Sequence, residues 1–314
     1  MAEHDELLED LRPLAFGVAC RMLGSVADAE DVVQEALLRL HRALAGAEQI
    51  ASPPAYLTTV TTRLAIDQLR SARARRQQYV GDWLPEPIVT DSDADPALRA
   101  ELADSISLAL LVALESLSPE ERAAFLLHDV FDYPYREIAA IIGRTQDNAR
   151  QLAARARRHL TDRQPRFQTN DAHHAELAQR FFAATETGDL PALEALLAED
   201  VILTGDGGGK APALARSIKG RSRVARLLRS WSRARERIPG GVRFELVQIN
   251  GGPGALVLDS RGRLAAALAL EISDGHVQRV MSVVNPEKLT HLGAVSNIGE
   301  LLRRGSAGTD TLPS

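Results

Sequence analysis

The sequence has little cysteine, few aromatic residues and no long apolar run. Of its 314 residues one is cysteine, Cys20, and aromatic residues make up 4%. A single thiol excludes an intramolecular disulfide or a paired-cysteine zinc site, and its place in the apolar run Leu14–Cys20 favours a buried residue. No apolar stretch reaches the roughly 18 residues of a membrane span, and the acidic residues 1–10 are not typical of a signal peptide. We therefore expect a cytoplasmic protein that does not bind membranes.

The net charge of −5 conceals an alternation of acidic and basic blocks. Residues 1–50 carry ten acids and four arginines, and residues 63–76 carry five arginines and one acid. Residues 77–101 have six acids and one arginine, residues 144–163 have six arginines and two acids, and residues 205–243 have eleven Lys or Arg and two acids. Because local rather than total charge decides binding to nucleic acid, the blocks indicate several faces with different partners.

The periodicity of apolar residues changes along the chain. Helical spacing dominates the first half, which is divided by the acidic, proline-rich segment 77–101, and a second break falls near Pro165. The runs after that break that predict strands are Val201–Thr204, Val242–Ile249, Ala255–Asp259, Leu264–Ile272 and Val277–Val284. The expected fold class is a multidomain protein with two all-α domains, the second with a helix-turn-helix, followed by an α+β domain.

The strongest local pattern lies in residues 132–160. Ile138, Ile141 and Ile142 predict a short amphipathic helix, Gly143 allows a tight turn, and Thr145 can cap the next helix. The residues expected on the outer face of that second helix are Asn148, Arg150, Gln151, Arg155, Arg157 and Arg158. In a major groove Arg can pair with guanine, and Asn or Gln with adenine. The pattern predicts a DNA-binding helix-turn-helix, and the alternative is a helical hairpin with a solvated basic face.

Two further predicted helices carry polar residues on one side. Asp28, Asp31 and Glu35 recur at i, i+3 and i+7, with Gln34 beside them. On the helix from Ala55 to about Arg73, the polar residues that can line a face separate from the apolar stripe are Thr58, Thr61, Thr62, Arg63 and Asp67. Either helix alone is compatible with a solvated surface, whereas the acidic stripe can also dock a basic protein.

The order and spacing of three segments resemble the extracytoplasmic-function (ECF) sigma factors. The segments are DAEDVVQEALLRLHRAL, PPAYLTTVTTRLAIDQLRSARAR and LSPEERAAFLLHDVFDYPYREIAAIIGRTQDNARQLAARARRHL. The resemblance covers about residues 1–163. It implies a sigma region 2 domain over residues 1–76, an acidic linker over 77–101 and a sigma region 4 domain over 102–165. It also implies an alternative-sigma transcription initiation factor whose partners are promoter DNA and core RNA polymerase, at the β′ clamp helices and the β flap.

The resemblance assigns roles to individual residues. Polymerase contacts are implied for Asp28, Asp31, Gln34 and Glu35. Minus-ten promoter contacts are implied for Thr58, Thr61, Thr62, Arg63, Asp67 and Arg70, together with the preceding loop Ala45–Pro54. Minus-thirty-five contacts are implied for Arg144, Thr145, Asn148, Arg150, Gln151 and Arg155.

Two short motifs resemble signatures of a subgroup with a fused C-terminal domain. They are Trp83–Pro87 (WLPEP) and Asn285–Leu289 (NPEKL), where Glu287 replaces the usual Asp. The resemblance implies a cone-shaped α+β SnoaL-like domain over residues 172–292, followed by a tail over 293–314. It also implies that the SnoaL-like domain regulates sigma activity in cis. The residues implied in this interdomain regulation are Trp83, Leu84, Pro85, Asn285, Pro286, Lys288 and Leu289.

The linker itself suggests a mechanism for that regulation. Its acids are opposite in charge to the basic stretch Lys210–Arg243, and Trp83 with its neighbouring prolines forms a stiff apolar anchor. We expect the linker to dock onto the third domain and so to fix the separation of the two DNA-reading domains. The alternative is that both stretches are solvated surface.

The third domain offers acid–base groups without an assembled catalytic set. Its candidate groups are Asp206, Asp259, Glu271 and His276, and the sequence does not show that any pair converges. The segment Gly205–Lys210 is not a phosphate loop because Thr204 and Ala211 replace the required Gly and Ser or Thr. We predict no enzyme activity, catalytic residue, metal or cofactor, and leave open an unknown small ligand in this domain.

Two other functions compete with the sigma factor. One is a one-component DNA-binding regulator with a ligand-sensing C-terminal domain, which would need a dimerisation helix to read two half-sites. No such helix is evident. The other is a cyclase- or isomerase-like enzyme with a helical appendage, which would need the catalytic set just described.

Overall fold

The computed structural model describes residues 2–46, 50–76, 79–90, 107–161 and 171–307. The chain divides into two compact units. The helical unit comprises residues 1–78 and 110–164, and the other comprises residues 79–93 and 165–314 together with residues 107–109. Within the described ranges no helix is long and apolar enough to cross a membrane.

The first domain consists of three helices, α1 (Ala2–Leu23), α2 (Val26–Ala45) and α3 (Pro53–Arg76). Ser25 begins α2, since its side-chain oxygen accepts the N–H of Asp28 at 3.2 Å. Pro53 is tolerated in the first turn of α3 because the first N–H groups of a helix have no intrahelical partner. Cys20 is buried in this core, as its apolar surroundings predicted.

The described residues of the second domain, 107–161, contain four helices, α4 (Leu108–Leu114), α5 (Pro119–Phe125), α6 (Tyr135–Ile142) and α7 (Gln146–Thr161), with a π-helical turn over Leu126–Val130. Ser118 and Glu121 form the expected capping box at the start of α5, where each side chain bonds the other's backbone N–H. Its core is made by Ala124, Leu127, Ile138, Ala139, Ile141, Ala149 and Ala153. Because the α7 residues in this core are small alanines, α5 and α6 can pack close to α7.

A buried arginine joins these two helical domains. The side chain of Arg122 is 2% exposed and donates to the Met22 carbonyl at 2.7 Å and to the Glu115 carboxylate at 2.7 Å. Burial lowers the pKa of Arg122 to about 9. Since a buried cation is stable only when it is bonded, Arg122 fixes the end of α1 against the second domain.

The third domain combines helices with a six-stranded sheet. Its elements are α8 (Asp171–Thr187), α9 (Leu190–Leu196), β1 (Leu197–Asp206), β2 (Ile218–Lys219), α10 (Arg221–Glu236), β3 (Val242–Ile249), β4 (Gly252–Asp259), β5 (Leu264–Ser273), β6 (His276–Val283) and α11 (Ile298–Ala307). The strand order is β2-β1-β6-β5-β4-β3, and β1 and β6 are parallel while the other pairs are antiparallel. The fold class predicted from the sequence is confirmed.

Tight turns set the register of the last four strands. Asn250 (φ 51°) and Gly251 (φ 70°) join β3 to β4, and Asp274 (φ 52°) and Gly275 (φ 70°) join β5 to β6. These positive φ values at consecutive residues are those of two-residue hairpin turns. The sheet packs on α8, α9 and α10 through a core that includes Phe181, Leu193, Leu228 and Leu268.

Candidate functional site

The helix-turn-helix has the predicted geometry. Gly143 ends α6 in the left-handed conformation (φ 64°), and the Thr145 hydroxyl accepts the Asn148 N–H at 3.3 Å to cap α7. Ala149, Ala153 and Ala156 are buried, which fixes the face that α7 presents outward. Of the predicted minus-thirty-five residues, Asn148 is half-buried, and the exposed ones are Arg144, Thr145, Arg150, Gln151 and Arg155.

Arg157 differs from its neighbours on α7. The sequence placed it on the outer face, but its guanidinium donates to both carboxylate oxygens of Asp129, at 2.8 and 3.0 Å, and to the Tyr135 hydroxyl at 3.2 Å. The bond to Asp129 raises the pKa of Arg157. A bidentate pair of this kind fixes the guanidinium in place, so Arg157 braces α7 against the π-helical turn and α6.

The predicted polymerase-contact residues of α2 fall into two groups. Asp31 and Gln34 are exposed, and Leu38, four residues after Gln34, is 42% exposed beside them. Asp28 is instead half-buried and accepts a hydrogen bond of 3.0 Å from Gln68 on α3. Glu35 accepts one of 2.7 Å from Arg39. The predicted polymerase contacts therefore comprise two solvent-facing residues and two that also bond within the domain.

The three threonines predicted for the minus-ten element are not on an open face. Thr58, Thr61 and Thr62 are each 0% exposed. Thr58 accepts a hydrogen bond of 3.0 Å from the Tyr133 hydroxyl of the second domain. The expectation of a separate polar face on α3 was wrong, because these small β-branched side chains fill the space where α3 packs against neighbouring helices. Among the described residues, the hydroxyl oxygens of Thr61 and Thr62 have no hydrogen-bond partner.

The charged residues of α3 also contact the second domain. Arg63 donates to the carbonyls of Ala140 (2.9 Å) and Ile141 (2.8 Å), which are free because α6 ends there. Arg70 bonds Glu120 at 2.6 Å and Asp67 at 3.1 Å. The bond to Glu120 raises the pKa of Arg70.

Together with the threonines, these contacts give the predicted minus-ten residues a common location. They lie along α3, as the sequence indicated. The threonines are buried, whereas Arg63 and Arg70 are exposed and bond the second domain, and Asp67 is exposed and bonds Arg70. Residues 47–49 of the preceding loop lie outside the described residues.

A buried ion pair holds the linker on the third domain. The Asp206 carboxylate and the Lys288 ammonium are 2.8 Å apart, with side chains 0% and 9% exposed. Asp206 accepts the Tyr79 hydroxyl at 2.6 Å and the Leu84 N–H at 2.8 Å. Lys288 donates to the Leu84 carbonyl and lies 4.0 Å from the centre of a Trp83 ring. The cation over an aromatic face adds an attraction that is strongest when desolvated.

The next linker residues extend the sheet at its β3 edge. Val89 forms an antiparallel bridge with Ile249, and the Thr90 N–H donates to the Gln248 carbonyl at 2.9 Å. Ile88 and Asn250 exchange two hydrogen bonds, of 3.1 and 2.8 Å. Backbone bonding of an extended segment to a free strand edge is a recurrent mode of peptide recognition. Residues 79–90 are therefore bound along the third domain.

The Asn285–Leu289 motif supports the same linker segment. The Asn285 amide donates to the Tyr79 hydroxyl at 3.0 Å, and its carbonyl oxygen accepts the Glu287 N–H at 3.2 Å. Glu287, which replaces the usual Asp of the motif, pairs with Lys210. Its longer side chain thus points to the surface rather than to the linker, and its contact differs from those of Asn285 and Lys288.

Two glycines form a cradle for the linker that sequence reasoning missed. They are Gly208 and Gly209, in the run of three glycines directly after Asp206. Gly208 has φ 56°, and a Cβ atom there would lie 2.8 Å from the Tyr79 hydroxyl. A Cβ at Gly209 would lie 3.3 Å from the Val80 side chain. The sequence analysis considered Gly205–Lys210 only as a phosphate loop and excluded it. The feature that could have indicated a binding site is an acid, Asp206, which ends an apolar strand and precedes three glycines.

The expected docking of the linker therefore occurs, but through different groups. The buried contacts are made by Asp206 and Lys288, which lie outside the basic stretch Lys210–Arg243. Of the linker acids, Asp82 accepts a hydrogen bond of 2.7 Å from the Ser217 hydroxyl. The acids Asp91, Asp93 and Asp95 lie outside the described residues. Exposed charge blocks contribute little, because water and salt screen them.

The other candidate acid–base groups of the third domain have separate local roles. Asp259 accepts the N–H groups of Arg261 and Arg263, both at 2.9 Å; burial would raise its pKa, but these bonds and the Arg263 guanidinium lower it on balance. Burial raises the pKa of Glu271, although Arg279 is 2.9 Å away. The His276 ring bonds the Asp274 carbonyl within a hairpin. Among described residues no three His, Cys, Asp or Glu are placed to hold a metal.

The comparisons with known proteins agree with this arrangement. Residues 7–75 match the family Sigma-70 region 2, and residues 107–160 match Sigma-70, region 4. The chain is 41% identical over 293 residues to the ECF RNA polymerase sigma factor SigJ of Mycobacterium tuberculosis, covering 90% of this chain and 92% of that protein. It is 35% identical over 300 residues to the probable ECF RNA polymerase sigma factor SigI of the same species, covering 94% and 98%.

A solved structure extends the similarity to the third domain. The crystal structure of M. tuberculosis SigJ matches with a TM-score of 0.74 and 37% identity, covering 91% of this chain and 98% of that one. A region 2 domain followed by a region 4 domain defines a transcription initiation factor of the sigma-70 type. The chain belongs to the ECF RNA polymerase sigma factors. The match to region 2 leaves the one-component regulator without support.

Proposed function

We propose that this sigma factor directs core RNA polymerase to promoters whose minus-thirty-five element is read by α7, and that its third domain regulates it in cis by binding the linker. The observation that carries the first part is the exposed face of α7, where Arg150, Gln151 and Arg155 surround a capped N-terminus. Arg and Gln are the side chains suited to guanine and adenine edges in the major groove.

The polymerase-binding surface is assigned to the exposed part of α2. Asp31 and Gln34 offer acceptors, and Leu38 adds an apolar contact between them and the helix end. Interfaces commonly combine a buried apolar anchor with complementary charges that steer association. We assign the partner surface to the β′ clamp helices and assign the β flap to the second domain.

Promoter opening requires a rearrangement of the helical unit. Thr58, Thr61 and Thr62 cannot contact a nucleotide while α3 is packed against the second domain. We therefore assign the described arrangement to a closed state, in which these three threonines are covered. Two buried hydroxyls without partners make that packing less favourable than a fully bonded interface, which suits a contact that must open.

The third domain acts in this proposal by binding rather than by catalysis. Docking of Tyr79–Thr90 fixes the chain that leads from the first domain towards the second. A linker that is bound along the third domain can span a shorter distance between the domains it joins than a free linker of the same length. The state of the linker therefore sets how far apart the two DNA-reading domains can move.

The experiment combines the full-length chain with core RNA polymerase and maps transcripts on a promoter library. Wild type should capture the core enzyme and give specific start sites. Asp31→Arg should reduce capture about tenfold, in keeping with the cost of opposing like charges at an interface. Glu199→Arg, the same charge reversal at an exposed position of the third domain, is the control. Equal capture by both variants would contradict the assignment of α2, and start sites independent of the protein would contradict the function.

A further inference from the structure

The third domain encloses a cavity of about 320 Å³ between the concave side of the sheet and the helices α10 and α11. Trp231 and Ala234 of α10, Phe244 and Ala266 of the sheet, and Leu302 of α11 contribute to its wall. The volume lies near the lower end of small-molecule pockets, which span roughly 300–1,000 Å³. The cavity therefore suits a compact molecule rather than a peptide.

The polar groups of the wall narrow the chemistry of an occupant. Arg235 is the charged residue of the lining, and its guanidinium is bonded to Glu186 at 2.6 Å and to the Val242 carbonyl at 3.3 Å. Thr185 and Ser232 donate their hydroxyl protons to the Phe181 and Arg229 carbonyls. Their oxygens retain lone pairs and can accept from a ligand, and the hydroxyl of Ser282 in the same wall can accept as well. A neutral, mostly apolar molecule with one hydrogen-bond donor fits this wall.

One loop is shared between the cavity and the linker. Ala213 and Leu214 line the cavity, and Leu214 packs against the core. In the same loop the Ser217 hydroxyl bonds Asp82, and the Leu214 carbonyl lies beside Gly81 of the linker. A second connection runs through β1, because the cavity-lining Gly205 directly precedes Asp206.

We infer that this cavity binds a neutral, mostly apolar small molecule that carries a hydrogen-bond donor, and that its binding strengthens docking of the linker. A ligand packed on Ala213 and Leu214 holds the loop in the position that the linker contacts. Because each event favours the same loop conformation, the coupling is reciprocal, and a docked linker raises ligand affinity by the same factor. The transcriptional consequence rests on the proposed cis regulation, whereas binding and docking do not.

The probe for the test is N-phenyl-1-naphthylamine, a neutral apolar dye with one N–H donor, added to the full-length protein without polymerase. Its fluorescence should rise on binding, with energy transfer from Trp231 in the wall. Trp231→Phe should reduce that transfer without abolishing it, because Trp83, which contacts Lys288 next to Asp206, stays as the second donor. Ala234→Phe and Ala266→Phe, which fill the cavity from a helix and from a strand, should each weaken binding about tenfold or more.

Ala183→Phe is the matched control, since Ala183 is exposed on α8 and outside the lining. It should bind the probe like wild type, and circular dichroism should show all variants folded. Equal binding by folded Ala234→Phe, Ala266→Phe and Ala183→Phe would overturn the assignment of the cavity.

Hydrogen exchange tests the coupling. Saturating probe should slow exchange of the Leu84, Ile88 and Thr90 amides about fivefold, the lower range of measured couplings, with no effect in Ala234→Phe. Unchanged or faster exchange with bound probe would overturn the coupling. Because neither measurement uses polymerase, a failure here is distinct from failure of the proposed sigma function. That failure would appear as absent core capture with normal probe binding.

Discussion

Asp206 and Lys288 hold one linker residue, Leu84, by both of its backbone groups. The carboxylate accepts the Leu84 N–H at 2.8 Å, the ammonium donates to the Leu84 carbonyl, and the two side chains bond each other at 2.8 Å. Each charge is thus neutralised by its partner and bonded to a peptide group of the linker. This arrangement satisfies the polar groups of a site from which water is almost excluded.

Lys288→Met should release the linker and destabilise the third domain. The substitution leaves the Asp206 carboxylate buried without its cation, and breaking such a pair costs roughly 3–5 kcal/mol. Urea unfolding should show a loss of that order, and hydrogen exchange should show the Leu84 amide exposed.

The control for this change is an ion pair a few residues away. Lys210→Met breaks the pair with Glu287, in which the two side chains are 48% and 65% exposed. Exposed ion pairs contribute about 0–1 kcal/mol to the free energy of unfolding, so the midpoint of urea unfolding should hardly change. A loss of stability as large as that of Lys288→Met would contradict the role given to burial.

Gly208→Ala should weaken linker docking beyond the usual cost of a glycine substitution. A residue with a Cβ at φ 56° costs about 1–2 kcal/mol in any context, and here the Cβ would also lie 2.8 Å from the Tyr79 hydroxyl. Gly275→Ala is the matched control, because its φ is 70° and no atom lies within 4 Å of the added Cβ. Both variants should lose stability, but only Gly208→Ala should speed exchange of the Leu84 amide. Equal exchange rates in the two would argue against a cradle.

Local sequence rules predicted the elements whose signals are local. The helix-turn-helix follows from Gly143 and Thr145, and the strand Val242–Ile249 was predicted with the observed bounds. The turn between β5 and β6 follows from Asp274-Gly275, a pair typical of two-residue hairpins. In each of these, the backbone conformation is set by residues adjacent in sequence.

What the sequence did not predict depends on contacts between distant residues. The stretch Lys210–Arg243 was interpreted by its charge alone, which hid helix α10 and its buried face of Val224, Ala225 and Leu228. The contact of Thr58 depends on Tyr133 of the second domain, and the role of Asp206 depends on a linker more than 100 residues earlier. Pattern within one segment carries no information on which partner covers it.

Glu120→Gln should loosen the packing of α3 on the second domain. Glu120 bonds Arg70, with Arg144 3.9 Å away. Burial would raise the pKa of Glu120, but the bond to Arg70 and the charge of Arg144 lower it below its ordinary value of 4.5. Because Arg70 is 53% exposed, the ion pair between Arg70 and Glu120 should contribute less than about 1 kcal/mol to the stability of this packing. Hydrogen exchange of α3 amides at neutral pH should be faster in the variant than in Glu137→Gln, an exposed control on α6.

The pH dependence of this packing has a defined sign. A carboxyl whose pKa is lowered by folding stabilises the folded state above its unfolded pKa and loses that contribution as pH falls through the folded value. The difference in α3 protection between wild type and Glu120→Gln should therefore be full at neutral pH and disappear as the pH falls below the lowered pKa of Glu120. A difference that persists in acid would mean that the carboxylate charge is not what holds Arg70.

Arg155→Ala and Arg157→Ala should separate promoter reading from folding on a single helix. Arg155 is exposed, so its removal should cost about 1–3 kcal/mol of discrimination at one promoter position while the melting temperature stays unchanged. Arg157 bonds Asp129 and Tyr135, so its removal should lower the melting temperature and weaken transcription from all promoters alike. Transcription from a library of minus-thirty-five sequences, with melting curves of both variants, checks this. If Arg157→Ala shifted base preference and Arg155→Ala did not, α7 would have to face the promoter with its other side, which the buried Ala149, Ala153 and Ala156 do not allow.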